Sequence, residues 1–173
     1  MVSKMPQIVL LDSQFERLKR MSKTCYPRET AAYILGLTKV NSKKELVILV
    51  TAIEKPKILK SSVSSLEILI EGYKMENVVG LFHSHPIFLN LDDVSIINSS
   101  INLIAYRMTL NNVYPSKRDI IFARRIMEKY KKRLFVLGIC GCLCHGSFVY
   151  TPIKFFLITW KGIVEARICV IAS

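Results

Sequence analysis

Acidic side chains are scarce in this chain: 13 Asp and Glu stand against 25 Lys and Arg among 173 residues, a formal charge of +12. Glycine and proline are also few, at seven and six. That excludes a fibrous or low-complexity protein and leaves no stretch that reads as an interdomain linker. Charged residues make up only 22% and apolar residues 51%, which excludes an intrinsically disordered chain. The opening Met1-Val-Ser-Lys-Met-Pro lacks the apolar run of a secretion signal, and the cysteines number five, an odd count. Both point to a reducing, cytoplasmic setting with mostly free thiols. The length suits a single domain that buries its core without staples.

The basic excess invites a nucleic-acid reading, so its distribution matters. Residues 115–133 hold eight basic and two acidic side chains, net +6, which is half of the total. Charge concentrated there, on the stretch Arg124 to Arg133, reads as the wet face of one helix. A strand-tracking binder spreads its charge and interleaves aromatics. Nucleic acid is therefore not the expected partner, and a basic nucleic-acid-associated protein is kept only as a remote alternative. Leu134 to Ile153 contains no charged residue over 20 positions, long enough for a membrane span. Its three glycines, Pro152 and polar residues favour two buried strands around a turn at His145-Gly146-Ser147, so no membrane partner is expected.

Periodicity predicts a helix starting at Asp12 or Ser13, with capping-box spacing to Glu16, and ending before Pro27. Strands are predicted over 30–37, 45–53 and 77–85, and again over 134–139, 148–150, 155–160 and 164–171. Lys55 to Ser65 reads as loop and Leu66 to Met75 as a short helix. Pro115-Ser116 opens a helix over 117–131, with Phe122, Ala123, Ile126, Met127 and Tyr130 on its apolar face. The expected class is a mixed α/β or α+β single domain.

Three short pieces carry chemistry. His83-Ser84-His85-Pro86 ends the third strand, and alternation puts both imidazoles on one face and Ser84 on the other. Two imidazoles at i and i+2 can chelate one ion. Ser116-x-x-Asp119 has the spacing of a helix cap with an acidic first turn, which alone accounts for both residues. In Pro27-Arg28-Glu29-Thr30 a carboxylate enters an apolar strand, where an edge glutamate in water is the commonest outcome.

Together, Pro27-x-Glu29 running into Ile34-Leu35-Gly36, Val79-Gly80 with His83-Ser84-His85-Pro86, and Pro115-Ser116-x-x-Asp119 resemble the JAMM motif of the MPN-plus zinc metalloproteases. The resemblance implies a single MPN/JAMM domain over 1–173, with a curved central mixed sheet flanked by helices and a cytidine-deaminase-like fold. It implies one catalytic Zn²⁺ held by His83, His85 and Asp119 with a fourth position left for water, which is a catalytic arrangement. Glu29 is then the general base and Ser116 the hydrogen-bond donor to the oxyanion. The implied activity is hydrolysis of a peptide or isopeptide bond after the C-terminus of a ubiquitin-like protein. That protein or its conjugates would be the partner, with no small-molecule cofactor and with self-association left open. A non-catalytic MPN scaffold is the alternative. The 33 residues between His85 and Asp119 exceed what the family usually places there. Residues 87–114 are accordingly read as an insertion beside the metal, a lid or docking loop.

Cys140-x-Cys142-x-Cys144-His145 does not have zinc-knuckle spacing. On a strand the three thiols face one way, and buried free thiols are the expected reading, with a second metal site or a redox cluster as the sharper alternative.

Overall fold

The computed structural model describes residues 5–69, 75–88, 107, 110–145 and 148–172. Among the described residues, ten strands run in chain order: β1 (Gln7–Leu11), β2 (Ala31–Val40), β3 (Leu46–Glu54), β4 (Lys57–Ser61), β5 (Leu66–Leu69), β6 (Val78–Pro86), β7 (Leu134–His145), β8 (Phe148–Tyr150), β9 (Ile153–Thr159) and β10 (Ile163–Ile171). Helix α1 (Asp12–Cys25) lies between β1 and β2, and α2 (Lys117–Lys129) between β6 and β7. No helix among the described residues is long and apolar enough to cross a membrane. The uncharged stretch after Arg133 forms β7, β8 and the start of β9.

The large sheet has the order β6-β2-β3-β1-β10-β9-β7-β8, and β6 also pairs with β7. That last pairing closes seven strands into a barrel, with β8 appended at the far end of β7. The seam is parallel and continuous from Gly80↔Val136 to Pro86↔Cys142. The expected helix-flanked α/β sheet of MPN type is therefore incorrect. The misreading has a physical origin. Phe135 to Cys140 and Phe155 to Ile158 are apolar on both faces, as strands sandwiched between helical layers are. Here the barrel covers one face with itself, and only the other face needs a helix.

Alternation sorts the two cores. Ile8, Ala32, Ile34, Ile48, Val50, Phe82, Val136, Phe155, Leu157 and Ala166 come from all seven barrel strands and pack into one cluster, joined by Leu18 of α1. We assign it to the barrel interior. The intervening residues Ala31, Tyr33, Leu81, Phe135, Leu137, Ile139, Phe156 and Ile158 face outward and are covered by Ala123, Ile126 and Met127 of α2. Cys140 and Cys142 belong to the inner cluster, with Cys144 against it. All five cysteines are free thiols, so the expected buried-thiol reading holds for the inner pair.

Two other local expectations are corrected. The loop over Lys55 to Ser65 and the helix over Leu66 to Met75 give way to a hairpin, β4 paired antiparallel with β5. Leu66 and Ile68 are half-buried and Glu67 is exposed. This is the period-two pattern that the helical spacing of Leu66 and Leu69 obscured. Residues 70–74 lie outside the described residues. At the start of α1 the capping partner is Gln14, whose side chain accepts from Leu11 N at 2.9 Å, in place of the Ser13–Glu16 pair. Most of the segment read as an insertion, 89–106 with 108 and 109, also lies outside the described residues.

Candidate metal centre

Strand parity places the site. Residues 81, 83 and 85 of β6 share a face, and Leu81 lies in the outer cluster beneath α2. His83 and His85 therefore point outward towards the start of that helix. Ser84 points the other way, where its hydroxyl accepts from Thr30 N at 3.0 Å. Glu29 is in phase with outward-facing Ala31 and Tyr33, so it arrives on the same side.

His83, His85 and Asp119 form a group that could hold a metal ion, with one ligand atom each and all within 4.8 Å of one another. The two Nε2 atoms are 2.9 Å apart. Asp119 Oδ1 lies 3.3 Å from His83 Nε2, and Oδ2 lies 3.8 Å from His85 Nε2. The Nδ1 of His85 is 2.8 Å from the carbonyl oxygen of Asn112. A carbonyl only accepts, so Nδ1 carries the hydrogen and the Nε2 of the neutral ring offers its lone pair to the cluster. Burial holds the pKa of His85 below the ordinary histidine value, with help from His83 and against Asn112 and Asp119.

Asp119 is fixed by the helix it begins. Ser116 Oγ accepts from Asp119 N at 3.2 Å, and Ser116 N donates to Asp119 Oδ2 at 2.7 Å. The capping box expected from the spacing is thus formed, and it does not compete with ligation. It presents the carboxylate to both histidines. Burial would raise the Asp119 pKa, but the hydrogen bond and charge of His83, with the Ser116 contacts, outweigh it. The carboxyl is held well below the usual carboxylate range. Glu29 behaves oppositely. Its pKa is raised, by burial first, with Asp119 adding and His83 opposing.

A cavity of about 540 Å³ lies against these groups. Glu29, His83, His85, Ser116 and Asp119 supply its polar wall; Leu66, Ile68, Leu81 and Phe122 supply an apolar one, and Arg118 also lines it. All five residues singled out from the sequence thus reach one cavity.

Sequence reasoning missed the groups that hold them. The β4–β5 hairpin clasps the backbone of Glu29: Glu29 N donates to Ser62 O at 2.8 Å, and Ser61 Oγ donates to Glu29 O at 2.5 Å. Four serines in five residues were the available signal, read as loop. Asn112 was counted in the insertion, and nothing in its neighbourhood marks its carbonyl as a histidine partner.

No family model matches the chain, and no curated protein does either. In fold it is similar to the solution structure of protein DSY2949 from Desulfitobacterium hafniense. The TM-score is 0.56 at 18% identity, over 96% of this chain and 94% of that one. At that identity the likeness concerns the fold alone.

Proposed function

We propose that the chain is a zinc-dependent hydrolase of JAMM type, cleaving a peptide or isopeptide bond after the C-terminus of a ubiquitin-like protein. The observation that carries the reading is the meeting of His83, His85 and Asp119 in one cavity with a half-buried Glu29 whose pKa is raised. Zinc ligands at about 2.0–2.2 Å in a tetrahedron stand roughly 3.3 Å apart; the two Nε2 atoms are 2.9 Å apart, Asp119 offers Oδ1 to His83 at 3.3 Å and Oδ2 to His85 at 3.8 Å, and one ligand atom from each residue lies within 4.8 Å of the others. Two imidazoles and one carboxylate are the donor set of an open catalytic zinc site.

Bound there, zinc polarises a carbonyl and draws the pKa of a coordinated water towards about 7. Glu29 accepts a proton from the attacking water and returns it to the leaving amine. A carboxyl raised by burial is better matched to that task than one in water. Ser116 Oγ accepts from Asp119 N and its hydroxyl also supports the Asp119 carboxylate; in this reading the O–H turns from the carboxylate to donate to a developing oxyanion. The apolar wall of the cavity excludes water beside the reacting bond. Free thiols, two of them fully buried, support a cytoplasmic home.

The test is zinc content and cleavage of a ubiquitin-like protein fused at its C-terminus. We expect one zinc per chain, lost in His83→Ala and Asp119→Ala. We expect cleavage abolished in Glu29→Gln with zinc retained. A wild-type chain that takes up no zinc, or cleavage indifferent to Glu29→Gln, would refute the proposal.

A further inference from the structure

The connector leading into α2 serves the cluster twice. Asn112 O receives the Nδ1 hydrogen of His85 at 2.8 Å, and Ser116 closes the box around Asp119. Between them, Val113 is fully buried while Tyr114 is 51% exposed. An exposed tyrosine ordinarily wanders, but this one is tied. Lys154 Nζ donates to its hydroxyl at 2.9 Å and lies 4.4 Å from the centroid of its ring. That ring also packs on Phe156 at 5.6 Å between centroids. Glu165 on β10 anchors the same ammonium at 3.2 Å. The Tyr114 hydrogen bond first, and Glu165 after it, hold the Lys154 pKa above the ordinary lysine value against partial burial. Lys154, on the barrel wall, thus meets a connector that touches two of the three ligands.

We infer that Lys154 is a positioning residue for the metal cluster, acting through Tyr114. Pinning Tyr114 to β9 keeps Asn112 O opposite His85 Nδ1 and Ser116 opposite Asp119, Asn112 and Ser116 each standing two residues from the pin. Without the ammonium, Tyr114 loses its hydrogen bond and its cation and keeps, of the ties named above, the contact with Phe156. The connector then shifts, and the His85 ring loses the acceptor that fixes its tautomer. The inference rests on the metal reading above, but its first readout does not require metal.

The experiment uses the full chain as wild type, Lys154→Met and Lys154→Arg. The ¹⁵N shifts of the His85 ring are measured after chelator treatment, and zinc affinity is then measured by competition with a chromogenic chelator. In the wild type the shifts should report a single neutral tautomer with hydrogen on Nδ1. In Lys154→Met they should move towards a mixture, with zinc affinity falling about 10-fold, the lower end for groups that orient metal ligands. Lys154→Arg, which keeps a cation over the ring and a donor to the hydroxyl, should recover both. Unchanged His85 shifts in Lys154→Met would overturn the inference. So would a fallen thermal midpoint with those shifts intact, which marks a merely structural contact. A wild-type chain that binds no zinc defeats the functional proposal alone, because the tautomer still decides this one.

Discussion

Gly80→Ala tests the closure of the barrel, on which the placement of the site depends. Gly80 lies between Ile34 of β2 and Val136 of β7. A methyl group there would lie 2.3 Å from the Val136 carbonyl oxygen and 2.6 Å from Val136 Cβ. Carbon-to-oxygen contacts between neighbouring strands settle at about 3.3–3.6 Å, so the seam must part by about 1 Å. The obstructing oxygen is backbone, and no rotamer change relieves it. Overpacking costs about 1–3 kcal/mol, and stretching one ladder hydrogen bond adds about 1 kcal/mol, giving about 2–4 kcal/mol in all. For a chain of this length each kcal/mol is worth about 2–4 °C, so the thermal midpoint should fall by roughly 4–16 °C. Calorimetry measures this, and amide exchange should accelerate at Phe82 and Leu137 beside the opened seam. A midpoint within about 1 °C of wild type would refute the close β6–β7 approach, and the closed barrel with it.

Other expectations follow from the site and the core. Ser116→Ala should cost about 1 kcal/mol through the lost helix cap and Ser116→Gly only a few tenths. If Ser116 donates to the oxyanion, both should lose about 10²–10³ in kcat; a rate that follows stability across the pair would leave Ser116 as a cap only. Burial pushes the Cys140 thiol up to about 12, so timed alkylation at pH 8.5 read by mass spectrometry should mark exposed Cys169 first and Cys140 last; early labelling of Cys140 would contradict the packed interior. As pH rises past 4.5, the unfolded chain releases the Glu29 proton before the folded, metal-free chain does, because the folded pKa is raised. The wild type therefore loses stability relative to Glu29→Gln as pH climbs through the folded pKa. Urea titrations of chelated protein at pH 3.5 and 7 should show that gap widening, and an equal gap at both would mean an unburied carboxylate.

The parts of the site that depend on local spacing were readable in advance. Strand alternation alone put His83 and His85 together with Ser84 opposed, and Ser116-x-x-Asp119 announced its capping box. The apolar face of α2 was legible from Phe122 to Tyr130 for the same reason. What escaped were relations between distant segments. Nothing local to Gly80 or Val136 says that β6 and β7 meet, and that single pairing turns an open sheet into a barrel. The hairpin around Ser62 was hidden because Leu66, Leu69 and Ile70 satisfy a helical period as well as a strand. β1 was missed because its Gln7–Leu11 run is short and merges with the helix that follows. Asn112 escaped because its contribution is a backbone carbonyl, which any residue could have supplied.

The parallel seam also has a consequence for the order in which the chain folds. Strands β6 and β7 meet side by side yet are separated in sequence by the whole crossover that contains α2, so this pairing is non-local, though less so than that of β1 with β10, and carries a closure entropy. His83 and His85 lie on one side of that crossover and Asp119 inside it. The three ligands therefore come within reach of one another only as the crossover packs onto the seam. An ion that requires all three would be bound only after that crossover has packed, so metal uptake would be a clock for this one step of folding.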